Sequence, residues 1–169
     1  MRILVEPDGF MVCEGQRLKC ALGRGGIRAD KREGDGATPV GEFALGRIFY
    51  RADRTAPPDS ILPITATTPA MGWCDDPNHE DYNCLITLPH PAHHERMWRD
   101  DGQYDVVVEI LYNCAPVRPG LGSAIFLHVA KPDYGPTQGC IALKLEDILG
   151  LLRNYNEGDV LSVSAQDTL

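Results

Sequence analysis

Apolar positions along this chain come in short runs, and their period changes clearly only once. Arg2–Val5, Phe10–Cys13 and Arg17–Leu22 are brief apolar or alternating stretches separated by Asp8-Gly9 and Glu14-Gly15, the turn chemistry that joins consecutive strands. Between Lys31 and Phe43, Gly34, Gly36 and Gly41 permit unusual backbone angles while Pro39 restricts φ. That segment predicts a sharply folded connection leading into a strand at about Glu42–Tyr50. Asp105–Tyr112 and Ser123–Val129 are rich in Val, Ile, Leu and Phe and read as strands. After Cys140 the period lengthens. Leu145, Ile148, Leu149 and Leu152 fall at i, i+3, i+4 and i+7, the face of an amphipathic helix that Gly158 would end. Asp159–Ser164 then reads as a closing strand. The pattern predicts a mainly β fold with one helix in its C-terminal half.

Residues 54–101 break this regularity. Prolines recur from Pro57 to Pro91, and Trp73, Tyr82 and Trp98 supply bulk. Such a stretch is too long for an ordinary loop. It is expected to be a capping lobe inserted into a single domain that spans residues 1–169.

The formal net charge of −8 comes without a run of Lys and Arg, which disfavours a nucleic-acid partner. Glu6 and Pro7 end the first apolar run after three residues, so it reads as neither a signal peptide nor a membrane span. No later run approaches the ~18 apolar residues that a spanning helix needs. Six cysteines show no C-x-x-C pair and no zinc-finger spacing. Cys13, Cys20 and Cys114 sit among apolar neighbours and read as small core residues, and a Cys74–Cys84 bridge is a possible pairing.

Candidate chemistry gathers near the second strong strand. Ser123–Leu127 runs into His128, and twelve positions later Gly139-Cys140 follows Thr137-Gln138. A free thiol is only about 3% thiolate at pH 7, and an imidazole beside it corrects this. Glycine before the cysteine allows close approach of a substrate, and the Gly139 and Cys140 amides could face an oxyanion. A buried structural thiol and a hydrogen-bonded core histidine would account for the same two residues.

Phe126-Leu127-His128 followed by Thr137-Gln138-Gly139-Cys140 resembles the signature of the L,D-transpeptidase catalytic domain family, also called YkuD-like. The segment Gly36-Ala37-Thr38-Pro39-Val40-Gly41-Glu42-Phe43 is similar to a second family motif, in the right order upstream. The resemblance covers roughly Leu18 to Leu145. It implies a β-sandwich or barrel in which the Val129 carbonyl orients His128 and Thr137 braces the loop. It further implies a hydroxyl near the oxyanion, for which Tyr112 is the candidate, and stem peptides of peptidoglycan as partners. Carbapenem-type inhibitors, a periplasmic or cell-envelope location and no cofactor follow from it too. Gln138 stands where many members have His, and Ala142 where many have Arg. With its central insertion, the chain resembles an alpha- and betaproteobacterial branch, which leaves open 3-3 diaminopimelate links or 1-3 links from L-alanine.

Trp73, Tyr82, Thr137, Gln138, His94 and Glu95 are candidates to line a substrate cleft, and Arg28, Lys31, Arg118 and Lys131 to meet substrate carboxylates. His90, His93 and His94 suggest metal-ligand spacing on a helix, but Pro91 argues against that helix, so no metal is expected. Two other functions fit the same residues. One is a cysteine carboxypeptidase or amidase that hydrolyses stem peptides. The other is an inactive peptidoglycan-binding module.

Overall fold

A computed structural model describes residues 1–165. Its N-terminal meander is β1 (Arg2–Glu6), β2 (Phe10–Cys13) and β3 (Gln16–Lys19). The connection that follows holds a short parallel pair, β4 (Ile27–Arg28) and β5 (Thr38–Pro39). The strand expected over Glu42–Tyr50 is two strands, β6 (Gly41–Phe43) and β7 (Leu45–Tyr50), which break at Ala44 and enter different sheets. Such a corner lets one chain segment serve two packed layers. Gly41, at φ +151°, starts it, and a Cβ there would stand 2.7 Å from the Phe43 ring.

Next come β8 (Ile64–Ala66), β9 (Met71–Cys74), β10 (Leu85–Thr87), β11 (His94–Arg96) and β12 (Val106–Ile110). The last third is β13 (Phe126–Val129), β14 (Ile141–Leu143), α1 (Leu145–Asn154) and β15 (Val160–Val163). One five-stranded sheet runs β3-β2-β1-β15-β6 and the other β14-β13-β12-β7-β8. Among the described residues the chain forms the expected mainly β architecture with one helix.

The main core lies between these sheets. Ile3, Val5, Leu161 and Val163 come from the first, Ile48, Val108, Leu127 and Ile141 from the second, and Ile148, Leu151 and Leu152 from α1. Leu151 replaces the predicted Leu149 on the buried face of the helix. The helix also ends at Asn154, before Gly158, because Tyr155 turns extended and is drawn into the core. There its hydroxyl accepts the Leu45 N–H and donates to the Asp159 carbonyl, both at 3.0 Å.

Residues 54–101 cover the other face of the second sheet. β8 joins that sheet's edge beside β7, while β10-β9-β11 form a separate three-stranded sheet. Trp73 and Met97 pack there with Phe49, Val107 and Phe126 in a second apolar cluster. Each large side chain buried this way contributes about 1.5–3 kcal/mol. With both faces covered, all five residues of β12 are buried, including Glu109, whose carboxylate is held by Arg47 at 2.8 Å. At the edge of this region, Arg51 stacks 3.5 Å from the Trp98 ring centroid and bonds Asp53 and the Arg99 carbonyl.

The six cysteines are free. Cys13 and Cys20 lie in the main core, and Cys74 is buried with Ile86 and Ala92. Cys114 departs from its expected core position and is exposed. β12 has already ended, and Asn113 at φ +51° turns the chain outward just before it.

Candidate active site

Alternation along β13 sends Leu127 into the main core and leaves Phe126 and His128 on the opposite face. His128 Nδ1 donates to the Val129 carbonyl at 3.0 Å, which places the lone pair of the neutral ring on Nε2. The ring meets that of Tyr104 edge-on, with centroids 5.3 Å apart. Burial pulls the imidazole pKa down to about 4, so it is neutral at pH 7.

Parallel pairing of Leu127 with Ile141 brings Cys140 beside Phe126. The thiol donates to the Ala124 carbonyl at 3.2 Å and accepts the Phe126 N–H at 3.4 Å. Burial pushes it up to about 12, with Glu95 adding to the rise and the Phe126 N–H, Arg99 and Lys31 opposing it. Cys140 and His128 open into one cleft, yet no hydrogen bond joins them in this resting arrangement.

Two threonines hold the loop before the cysteine. Thr137 Oγ1 accepts the Gly139 N–H at 3.1 Å and donates to the Cys140 carbonyl at 2.6 Å. Thr38 Oγ1 accepts the Gly23 N–H at 3.0 Å and donates to the Gly139 carbonyl at 2.9 Å. The two sequence motifs thus meet at Gly139. Its φ is +130°, and a Cβ would stand 2.8 Å from the Ala37 carbonyl oxygen, so only glycine fits.

The cleft has a volume of about 580 Å³. Thr137, Gln138, Lys131, His94 and Glu95, all singled out from the sequence, line it, together with Arg24, Glu33, Asp75, Arg99 and Tyr104, which were not. The Tyr104 hydroxyl donates to the Glu95 carboxylate, and Arg99 lies 3.7 Å from that carboxylate and 4.6 Å from the Tyr104 ring centroid. Burial raises the Glu95 pKa and, still more, that of Tyr104. No motif marks these three residues. They converge only because β11 and the chain before β12 are brought over β13.

Four expected site residues lie elsewhere. Tyr112 donates its hydroxyl to the Leu121 carbonyl at 2.5 Å and lines a separate cavity of about 360 Å³, because its strand has ended and the chain turns away. Trp73 is buried, its indole N–H given to Asn83 at 2.9 Å, and faces that same second cavity. Tyr82 is buried too, its hydroxyl bridging Glu33 and the Gly122 N–H. Arg28 is exposed and held by Asp30. Of the other cations considered, Lys31 is buried against Asp35 at 2.6 Å, and Arg118 is exposed outside the cleft. Ala142 is buried and bonded through its backbone to Ala21.

The histidine-rich segment forms a cluster of another composition. His94 belongs to β11, His93 pairs with Asp75, and His90 meets His79 and Asp81 with ligand atoms within 4.8 Å of one another. In both His79 and His90, Nδ1 accepts a backbone N–H at 3.1 Å, from Asp81 and Ala92. That assigns the neutral proton to Nε2, and His90 Nε2 donates to Asp81 at 3.0 Å. Hydrogen bonds thus engage both ring nitrogens of His90 and Nδ1 of His79.

Among the described residues, no helix is long and apolar enough to cross a membrane. No curated protein sequence matches the chain. Among solved structures it is similar to the helical cell shape determining protein Pgp2 from Campylobacter jejuni, at 16% identity and a TM-score of 0.49, over 99% of this chain and 48% of that one. It is also similar to an L,D-transpeptidase from Mycobacterium smegmatis, at 13% identity and a TM-score of 0.42, over 97% of this chain and 58% of that one. The chain therefore spans about half the length of the proteins it resembles. The sequence pattern of the L,D-transpeptidase catalytic domain, the YkuD family, matches residues 2–163. With that match over nearly its whole length, the chain belongs to the L,D-transpeptidase catalytic domain family.

Proposed function

We propose that this protein is a peptidoglycan cross-linking transferase that works through a thioester on Cys140. The observation that carries this reading is the sharing of one cleft by the Cys140 thiol and a neutral His128 whose Nδ1 is committed to the Val129 carbonyl. Family membership supplies the substrate class, the stem peptides of the cell wall.

In this mechanism, substrate entry turns the thiol off the Ala124 carbonyl toward His128 Nε2, which accepts its proton. Sγ attacks the carbonyl of an L-centre in the donor stem. Collapse of the tetrahedral intermediate breaks the amide, and His128 returns the proton to the departing amine. An acceptor amine, the side-chain amine of diaminopimelate, then gives its proton to His128 and displaces Sγ to form the cross-link. The resting Gly139 N–H is held by Thr137, which favours the Cys140 amide as oxyanion donor. Lys131 and Arg24 offer cations for substrate carboxylates, Gln138 and His94 offer hydrogen bonds, and residues 54–101 act as the cap.

Intact mass and chromatography, after incubation with disaccharide-tetrapeptide, test the reading. Dimers and a transient adduct are expected with the wild type and absent with Cys140→Ala, and fragmentation identifies a 3-3 or 1-3 link. Trimmed monomers without dimers mean a hydrolase. No product, together with no carbapenem adduct on Cys140, leaves only a binding module.

A further inference from the structure

The second cavity lies behind the cleft, with Trp73 and Phe126 in its wall. Phe126 gives its N–H to the Cys140 sulfur from the same strand, so this wall supports the nucleophile. Two thiols open into the cavity, Cys84 from the start of β10 and Cys114 from the turn after β12, and both are exposed and free. The residues just before them are tied together. Asn83 Nδ2 donates to the carbonyls of Tyr112 at 3.2 Å and Asn113 at 2.8 Å. Two chain segments distant in sequence are thereby held side by side, each followed at once by a cysteine. The Cys84 thiol makes a 3.6 Å contact with the Tyr82 carbonyl, and Cys74, opposite it across the β9–β10 ladder, is buried with Ile86 and Ala92.

We propose that Cys84 and Cys114 are a redox pair that closes to a disulfide between residues 54–101 and the turn after β12. A small-molecule disulfide such as oxidised glutathione is the oxidant. One cysteine thiolate attacks it, one glutathione leaves, and the second cysteine displaces the other glutathione from the mixed disulfide. One Sγ–Sγ bond forms, the oxidant's S–S bond breaks, and the two thiol protons end on two molecules of glutathione. Such pairs persist in oxidising compartments and open in reducing ones. The bond would fasten the covering sheet to the turn after β12, beside the cavity whose wall includes Phe126.

The test uses the whole protein, equilibrated with a glutathione redox buffer, alkylated, and analysed by intact mass and peptide mapping. Cys84→Ser and Cys114→Ser are run beside the wild type. The proposal expects the wild type to lose the mass of two hydrogens and to yield a peptide linking Cys84 to Cys114. Either substitution removes that peptide. Closing the roughly 30-residue loop should raise the Tm of the wild type by roughly 5–10 °C, with no rise in either variant. Separate glutathione adducts at both cysteines, a Cys74–Cys84 link, or thiols that stay reduced would each overturn it.

Discussion

His128 is held neutral by its surroundings, and this has a measurable consequence. Its folded pKa of about 4 lies below the 6.5 of a free imidazole. Between those values the unfolded chain takes up a proton that the folded protein refuses. Stability is therefore complete above pH 6.5 and falls as pH drops through this window, by about 3 kcal/mol from this group. Urea unfolding at pH 7 and pH 4.5 should show that loss in the wild type, and His128→Gln should lose less over the same interval. The same residue should place the acid limb of kcat/KM at about pH 4 in the free enzyme. Cys140 is the complementary case. With its thiol pushed up to about 12 and hydrogen-bonded to Ala124, it should react slowly with iodoacetamide at pH 7, after the exposed Cys84 and Cys114. Peptide mapping over time checks the order, and Cys140 labelled first would contradict the resting geometry.

Among the elements, the connection from β4 to β6 matters most to the site, although it contributes no reacting atom. Thr38 is fully buried at the end of this connection and joins the Gly23 N–H to the Gly139 carbonyl. Valine has nearly the same shape but neither donates nor accepts. Thr38→Val should therefore cost about 1–3 kcal/mol of stability by leaving two buried polar groups unpaired. It should also lower kcat more than it raises KM, because the displaced loop carries the nucleophile. Thr38→Ser, which keeps the hydroxyl, should recover most of the rate. Denaturant titration and steady-state kinetics together separate this from simple loss of fold. The spacing of the two motifs was legible in the sequence, but their contact was not. A hundred residues of intervening chain had to fold before Thr38 could meet Gly139.

For the whole molecule, two apolar clusters divide the work. The core between the two five-stranded sheets holds the fold, and the cluster under β9–β11 holds the site, since Cys140 is a member of it. Leu152→Ala and Trp73→Ala should each cost several kcal/mol, about 2–5 and 3–5 respectively. Their effects on chemistry should differ. Leu152→Ala lowers the melting temperature and leaves the rate of Cys140 acylation at 25 °C within about twofold. Trp73→Ala removes the wall behind Phe126 and should slow acylation by tenfold or more at a temperature where both variants are folded. Equal rates in the two would mean that residues 54–101 merely cover the sheet.

Local chemistry decided what the sequence could show unaided. Strand and turn periods, the glycine at 139, the His–Cys order and the upstream Thr-Pro segment are written in neighbouring residues, and the β architecture followed from them. Leu149 for Leu151 was a small error, set by how Tyr155 leaves the helix to fill the core. Tyr112, Trp73, Tyr82 and Arg28 were misplaced for a larger reason. Aromatic or basic character qualifies a residue for a cleft, but which side of a sheet a loop falls on depends on packing far away in sequence. Glu95, Arg99 and Tyr104 reached the cleft by that same packing. Sequence spacing singled out Cys140 and His128 as the candidate pair, whereas tertiary structure selected the charges around them, because side chains from different strands share a field only once the layers have closed.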